Sequence, residues 1–338
     1  MDPPSTALLL ARANYFSPRG ARLINAFSML LDVGHHITLE PAIAQIEGKA
    51  RSVYCGAGTT IAIDDDGRAW ASGCNDFGQC GTGRYAKESS KDAVAKFRRL
   101  ATIEGPVRQV ALGFRHGIAV DDDGGVWGWG KNDNGQLGTG EPDEATIAES
   151  HEKARAFLRR DTPWPVLGIT GGKVISVVAG MLHSAALTDG GQVWLWGKHR
   201  SETFRAAPAS HHVFGERVGP AVIYEDAFLP RLLKFPANTP PLVAVAASNF
   251  HTVALDAKGD VWAVGLEKHT REMVAEPRRL VGMPESGGAV VSIRSGVDNV
   301  AVFSSSGDVY SPSLQAGACV AESLLAVPAA ARLADVAI

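Results

Sequence analysis

The sequence predicts an all-β protein assembled from repeated antiparallel strands. Residues 56–83 lie on residues 113–140 without a gap after a shift of 57, and three further copies begin at positions 180, 248 and 296. In each copy a short apolar stretch, a polar turn with glycine and an alternating stretch follow one another, which is the pattern of a β-hairpin. Strands that recur every 48–68 residues without heptads predict a β-propeller or a similar repeat array.

The third copy shows the succession of strands clearly. The apolar stretch Ser184–Leu187 precedes a glycine-containing turn, and the alternating stretch Val193–Trp196 follows the turn. Alternation places one face of such a strand in a core and the other face outward. A further apolar stretch precedes four of the hairpins, at Val107–Leu112, Val174–Ala179, Leu242–Ala247 and Val290–Ile293. Each unit therefore contains at least three predicted strands.

Equivalent positions of the copies hold the same residue types. The positions that we predict to be structural are Gly113, His116, Trp127, Gly130, His183, Trp194, Gly197, His251 and Trp262. Trp70 takes the tryptophan position of the first copy, and Thr59 takes its histidine position. In the fifth copy Asn299 replaces the histidine and Tyr310 replaces the tryptophan. A buried histidine at such a position most often bonds a neighbouring backbone group, so we predict packing roles rather than metal binding.

The repeats predict a single domain over residues 1–338, with clear copies between residues 50 and 313. The copies start 60 residues apart on average, which favours six or seven blades in a chain of 338 residues. An open ring leaves strand edges unpaired. We therefore expect the N-terminal residues 1–34 and the C-terminal residues 331–338 to complete the closing blade. Seven blades would need a further degenerate copy within residues 7–16.

Three insertions interrupt the repeats after the third predicted strand of a unit, at residues 84–106, 141–173 and 198–241. In the first, Ala93, Phe97 and Leu100 fall on one helical stripe, which predicts a short helix. In the second, acidic residues precede Arg159 and Arg160, an order that suits the two ends of a helix.

Long loops on a rigid scaffold often carry recognition. We predict that the insertions contact a partner protein, because aromatic side chains in pockets dominate the energy of many interfaces. The candidate anchors are Phe97, Phe157, Phe204 and Phe214.

No motif of the sequence points to catalysis, a cofactor or a metal. The glycine-rich stretch 113–140 lacks the G-x-x-x-x-G-K-S/T pattern of a phosphate-binding loop. The run Asp121–Asp123 lacks the ligand spacing of a calcium loop, which leaves a solvated hairpin tip. The chain has a net charge of −3 and no run of basic residues, so direct nucleic-acid binding is not expected. No apolar stretch is long enough for a membrane span.

The location of the protein follows from its cysteines and its first residues. Cys55, Cys74, Cys80 and Cys319 form no C-x-x-C pair, which predicts reduced thiols in an intracellular compartment. Residues 1–31 contain arginines and a single acidic residue, a composition that occurs in mitochondrial targeting peptides. An ordinary N-terminal arm is the alternative, so mitochondrial, cytoplasmic and nuclear locations all stay open.

The repeat G-x-x-H-(S/T)-x-A-L-x-x-x-G-x-V-W-x-W-G-x-N-x-x-G-Q-L-G-x-G resembles the regulator of chromosome condensation (RCC1) repeat. Residues 113–140 match it nearly throughout, and residues 296–313 match it only in part. The resemblance implies a propeller of four-stranded blades. Members of the family include a nucleotide exchange factor for a nuclear small GTPase, ubiquitin-ligase domains, a plant UV-B photoreceptor, ciliary proteins and mitochondrial assembly factors. The resemblance therefore implies a fold more sharply than a function.

We predict a non-enzymatic interaction scaffold, a structural subunit or assembly factor of a multi-subunit complex. The alternative is a guanine nucleotide exchange factor for a small GTPase, but no copy stands apart as the wedge that such an activity needs. The photoreceptor resemblance would require tryptophans just before the Arg-His of the repeat. Phe114 stands at that position, so light sensing is not expected.

Overall fold

The computed structural model describes thirteen ranges of the chain, which contain 23 β-strands. The described residues are 15–16, 22–24, 29–31, 46, 49–83, 94–103, 105–140, 158–198, 228–266, 273–282, 288–296, 300–315 and 318–325. Strands β1 (Tyr15–Phe16), β2 (Arg22–Ile24) and β3 (Met29–Leu31) form a small antiparallel sheet. All later strands belong to five four-stranded units.

Each unit is an antiparallel sheet whose strands pair in chain order. The first three units are β4 (Ala50–Cys55), β5 (Thr59–Asp64), β6 (Ala69–Gly73) and β7 (Val94–Arg99); β8 (Val107–Leu112), β9 (His116–Asp121), β10 (Val126–Lys131) and β11 (Arg159–Pro165); and β12 (Val174–Ala179), β13 (His183–Thr188), β14 (Val193–Gly197) and β15 (Arg231–Leu232). The last two are β16 (Leu242–Ala247), β17 (His251–Asp256), β18 (Val261–Leu266) and β19 (Met273–Val281); and β20 (Val290–Ser295), β21 (Val300–Ser304), β22 (Val309–Gln315) and β23 (Ala318–Leu325).

The five units are the blades of a β-propeller, numbered here in chain order. Blades 4 and 5 join into an eight-stranded sheet, because β19 pairs in parallel with β23 at Leu280–Cys319 and Val281–Val320. A total of six or seven blades is consistent with these five and stays a prediction. Residues 331–338, which we expect to help close the ring, lie outside the described ranges.

Neighbouring blades pack face to face through apolar side chains. Between blades 1 and 2, for example, Ile61 and Ile63 share one cluster with Val110 and Trp129. A similar cluster follows at each junction up to blades 4 and 5, where Val253 and Leu255 of the fourth blade meet Ile293, Val302 and Tyr310 of the fifth. The core is thus a row of inter-blade layers. The prediction that the alternating stretch Val193–Trp196 turns one face outward is wrong, because both faces of this strand are covered. Val193 and Leu195 pack in one inter-blade cluster, and Trp194 and Trp196 pack in the adjacent one.

The helix predicted around Ala93, Phe97 and Leu100 is wrong, because Val94–Arg99 is the outer strand β7. This strand pairs with β6 in the register Trp70↔Arg99 and Ala71↔Arg98. The third strand of the blade offers a row of free backbone groups, and satisfying them outweighs a local helical periodicity. Arg98 and Arg99 of β7 are exposed while Leu100 is buried, which suits an edge strand.

The other two insertions are also shorter than the sequence suggests. Arg159 and Arg160, predicted to end a helix, instead begin strand β11. The third insertion contains the short outer strand β15. The remaining inserted residues, including 141–157 and 199–227, lie outside the described ranges.

Side chains also form hydrogen bonds between the first strands of neighbouring blades. Gln109 of β8 donates from Nε2 to the carbonyl of Val177 in β12 (3.2 Å) and accepts from the Val177 N–H (3.1 Å). Arg51 of β4 donates to the carbonyl of Val107 in β8 (2.5 Å). The Gln109 amide thus bonds both backbone groups of Val177, as the backbone of a paired strand would. It links blades 2 and 3 near the propeller axis.

Replacing Gln109 with alanine should lower the free energy of unfolding by about 1–2 kcal/mol, because two backbone groups of Val177 lose their partner. Urea denaturation measures the loss as a lower midpoint at an unchanged slope. Arg108, the exposed neighbour on the same strand, provides the control Arg108→Ala, with an expected change within about 0.5 kcal/mol. Equal midpoints for the two variants would show that the Gln109 bridge contributes nothing.

Candidate functional site

One end of the propeller carries the short turns and the long loops together. Antiparallel pairing places the start of each second strand opposite the end of the third, as in His116↔Gly130 and His183↔Gly197. The turns before the second strands and the loops after the third strands therefore share one end. This loop face comprises the turns 56–58, 113–115, 180–182 and 248–250 with the loops 74–83 and 132–140. The three predicted insertions continue from the same strand ends.

The histidines beneath the loop face connect successive blades. His116 Nε2 lies 3.0 Å from Ser184 Oγ, and His183 Nε2 lies 3.0 Å from Thr252 Oγ1. In each pair the hydroxyl belongs to the residue that follows the histidine of the next repeat. The contact therefore joins blade 2 to blade 3 and blade 3 to blade 4.

The histidine rings fill the space beside the repeat glycines. A Cβ added at Gly113 would lie 2.1 Å from His116 Cε1 and 2.5 Å from the carbonyl oxygen of Gly180, so only glycine fits there. Blade 4 departs from this arrangement, because Ser248 takes the glycine position and His251 Nδ1 lies 3.0 Å from its Oγ. The glycine and histidine positions of the repeat thus form one packing unit.

Burial keeps His116 and His251 neutral. It lowers the pKa of His116 to about 4, and burial likewise lowers the pKa of His251 to about 4. A neutral, enclosed imidazole cannot exchange protons readily with a substrate near pH 7. These side chains therefore belong to the frame of the loop face rather than to its chemistry.

The repeat tryptophans occupy equivalent places on the third strands, each opposite an alanine of the second strand. The pairs are Trp70↔Ala62, Trp127↔Ala119, Trp194↔Ala186 and Trp262↔Ala254. Three of them donate from Nε1 to the carboxylate that begins their own hairpin turn, at 2.8–3.0 Å: Asp64, Asp121 and Asp256. The same carboxylates accept backbone N–H groups of the turn.

The Asp-rich turn is therefore not a wholly solvated tip. Asp121 is buried, and only Asp122 and Asp123 are exposed. In blade 1, burial acts to raise the pKa of Asp64, but hydrogen bonds from Trp70 and Arg68 outweigh it and leave the pKa below its ordinary value. The first aspartate of the run organises the hairpin through these hydrogen bonds, and in blade 1 Asp64 does so as a buried anion.

A second tryptophan, two residues further along the third strand, links neighbouring blades. Trp129 and Trp196 are fully buried and donate from Nε1 to the carbonyls of Gln79 (2.8 Å) and Gln136 (3.0 Å). Each of these glutamines lies in the loop of the preceding blade. These two residues were not among the predicted structural positions, although their recurrence in the second and third copies was a usable signal.

The loops of blades 1 and 2 are closed by their own side chains. Gln79 Oε1 accepts the N–H of Phe77 (2.8 Å), and Asn75 Oδ1 accepts the N–H of Cys80 (2.9 Å). In the second loop, Gln136 and Asn132 accept the N–H groups of Asn134 and Leu137 in the same way. The loop face therefore has a fixed backbone at these two places.

On this frame lies a cluster of aromatic and basic side chains, the Arg115 cluster, formed by Phe77, Phe114, Arg115 and Lys131. The Cζ atom of Arg115 lies 4.2 Å from the ring centroid of Phe77 and 5.0 Å from that of Phe114. Lys131 Nζ lies 5.2 Å from the Phe77 centroid. All four side chains are half-buried, so the cluster lines the surface where blades 1 and 2 meet.

The residues predicted to anchor a partner are placed only in part. Phe97 is half-buried in strand β7 at the outer side of blade 1. Phe157, Phe204 and Phe214 lie outside the described residues, so the role of all four stays a prediction. The structure adds the Arg115 cluster, which no spacing rule in the sequence would have assembled.

The thiols of Cys74 and Cys80 near the loop face stay protonated at neutral pH. Burial raises the pKa of Cys74 to about 11 and raises the pKa of Cys80 further. Within the described ranges, no three residues of the histidine, cysteine, aspartate and glutamate types come together as a metal site. None of the helical structure described for the chain is long and apolar enough to cross a membrane.

A model of the regulator of chromosome condensation (RCC1) repeat matches residues 123–187, and a second model of that repeat matches residues 50–79 and 107–136. The chain contains RCC1 repeats. The matched residues include seven of the positions described above, namely Trp70, Gln79, His116, Trp127, Trp129, Gln136 and His183.

Several known proteins are similar to it. The ultraviolet-B receptor UVR8 of Arabidopsis thaliana is 31% identical over 168 residues, which cover 49% of this chain and 34% of the receptor. The probable E3 ubiquitin-protein ligase HERC4 of Rattus norvegicus is 24% identical over 82% of this chain and 29% of the ligase. The chain therefore spans about a third of each of these two proteins. The crystal structure of human WBSCR16 matches with a TM-score of 0.60 at 20% identity, over 82% of this chain and 68% of that one.

Proposed function

We propose that this RCC1-repeat protein is a non-catalytic scaffold that holds a partner protein on its loop face, as a subunit or assembly factor of a larger complex. The observation that carries the proposal is the Arg115 cluster, a half-buried group of aromatic and basic side chains on loops that are closed by their own amides. Arginine and aromatic residues dominate the energy of protein interfaces, and a preformed surface loses little entropy on binding.

The relatives support a binding role more than any one chemistry. One is named as a light receptor and another as a probable ubiquitin ligase, and this chain covers only a minority of each. What they share with it is the repeat, and a shared fold does not transfer an activity. The three insertions support the same role, since they continue from the loop face.

Affinity capture of the full chain from cells, with and without the insertions, tests this proposal. Residues 85–92, 141–157 and 201–226 would each be replaced with a short Gly-Ser linker, and circular dichroism would confirm that the variant folds. We expect recovery of the specific partner to fall at least about tenfold, as loss of a few interface anchors predicts. Unchanged recovery of the same partner by the folded variant would place the interface elsewhere.

Nucleotide exchange on a small GTPase stays the alternative. Release of a fluorescent GDP analogue from a panel of small GTPases, with and without the protein, tests it directly. Strong acceleration for one GTPase would replace the scaffold proposal. The intracellular location, mitochondrial, cytoplasmic or nuclear, stays a prediction that imaging of the tagged full chain would decide.

A further inference from the structure

Arg115 is a charged group held in place without a counter-ion. Its guanidinium lies against the rings of Phe77 and Phe114, and Arg115 forms no ion pair with any described residue. Rings beside a guanidinium cover its faces and leave the N–H groups at its edge to bind acceptors. The arginine is therefore preorganised to receive an anionic group that this chain does not itself supply.

The charge around Arg115 favours an anion as well. Lys131 adjoins the same phenylalanine and is paired with Asp133 (2.5 Å). Arg159 of blade 2 reaches the carbonyl of Asp76 in the neighbouring loop (3.5 Å). The two basic side chains of the cluster thus lie against one ring, with Asp133 as the carboxylate that pairs with Lys131, in a chain whose net charge is −3. The Arg115 cluster is a locally positive site on an acidic protein.

We propose that the Arg115 cluster binds an acidic peptide segment of a partner protein, with a carboxylate on the Arg115 guanidinium and an apolar side chain against Phe77. A carboxylate matches the edge of a guanidinium with two parallel hydrogen bonds. The rings that hold Arg115 offer the apolar contact beside it, so one glutamate or aspartate next to one apolar residue fills both parts. This inference rests on the scaffold function proposed above and names its partner chemistry.

The cluster fits a peptide better than a nucleic acid. A nucleic-acid strand needs basic side chains that follow several successive phosphates. Here the basic groups are confined to the junction of blades 1 and 2, and Lys131 is already paired with Asp133. A single carboxylate with an apolar neighbour matches the size of the site.

Fluorescence anisotropy with a defined probe tests the proposal. The probe is a fluorescein-labelled nonapeptide of eight glutamates around one central leucine, and its matched control has glutamine at all eight positions. Binding is measured on the full chain at low salt, for the native protein and for Arg115→Gln, Arg115→Lys, Phe77→Leu and Arg98→Gln. Arg98 is an exposed arginine of strand β7 away from the loop face, so Arg98→Gln controls for net charge.

We expect the glutamate probe to bind and the glutamine probe to bind at least tenfold more weakly. Arg115→Gln should weaken binding of the glutamate probe by about tenfold or more, the loss of a charge-assisted pair. Arg115→Lys keeps the charge but not the planar edge, and should fall between the two. Phe77→Leu should weaken binding about threefold or more, since the ring beside the guanidinium is lost. Arg98→Gln should bind like the native protein.

Other outcomes would overturn the assignment. They are no binding of the glutamate probe, equal binding of both probes, equal loss in Arg115→Gln and Arg98→Gln, or tighter binding of a fluorescein-labelled oligothymidine. Thermal melting identifies a variant that does not fold, in which case Arg115→Lys and Phe77→Leu decide. Because affinity capture reports any partner on any surface, the scaffold function can hold while this site fails, and the two failures remain distinguishable.

Discussion

Replacing Trp196 with alanine is expected to lower the free energy of unfolding by about 3–5 kcal/mol, the usual cost of deleting a large aromatic side chain from a core. Trp196 has no exposed surface and packs between blades 2 and 3 with Ile118 and Val177. Its indole also donates to the carbonyl of Gln136. Truncation removes the packing and the hydrogen bond at once, and leaves a cavity at the junction.

Urea denaturation of three variants separates these contributions. Trp196→Phe keeps most of the volume but loses the N–H, and should cost about 1–2 kcal/mol, because Gln136 still accepts from the Ser184 hydroxyl at 2.8 Å. Trp164→Ala is the matched control, since Trp164 is 44% exposed on the outer strand of blade 2. If Trp164→Ala and Trp196→Ala denature at the same urea concentration, the inter-blade role of Trp196 is refuted.

Acidification from pH 7 to pH 4.5 is expected to remove several kcal/mol of stability. The pKa of His116 and the pKa of His251 are about 4 in the folded protein, below the ordinary value of about 6.5 in an unfolded chain. The unfolded chain therefore binds more protons between pH 6.5 and pH 4, so stability is present above pH 6.5 and is lost as pH falls through this window. Each histidine contributes about 2–3 kcal/mol by pH 4.5.

The variant His251→Asn isolates one of the two contributions. Asparagine already stands at this position in the fifth repeat, as Asn299, and it does not titrate. Urea midpoints at pH 7.5, 6.5, 5.5 and 4.5 should fall less steeply for His251→Asn than for the native protein, by about half of the histidine contribution. A parallel decline of both proteins would mean that His251 has an ordinary pKa. Asp64, with its lowered pKa, acts in a more acidic range.

Much of the fold could be predicted from the sequence because the repeat is local and periodic. The second and third strands of each blade are adjacent in the chain. The recurrence of a tryptophan in the same local pattern, at Trp70, Trp127, Trp194 and Trp262, already predicted equivalent positions in successive units. The outer strands were less predictable. Residues 93–100, which include strand β7, carry an i, i+4, i+7 apolar pattern. Only the unpaired edge of β6 decides that β7 is extended.

The candidate site was harder to predict than the fold. The Arg115 cluster joins Phe77 of one repeat to Arg115 of the next, and no periodic rule links residues of different copies. Trp129 recurs only in the third copy, as Trp196, so it did not stand out as a repeat position. The inter-blade roles of both tryptophans depend on carbonyl groups of the preceding loop, which a sequence does not display.

The contacts between successive blades bear on how such a chain can be re-engineered or can evolve. His116 needs the hydroxyl of Ser184, and Trp196 needs the carbonyl of Gln136, so each repeat is complete only beside its own neighbours. A repeat transplanted from another protein, or deleted as a block, would separate donors from acceptors at two junctions. Successful grafts should therefore exchange a half-repeat on each side together with the chosen unit. Tandem duplication of a single repeat would succeed only where the copied histidine again meets a serine or threonine.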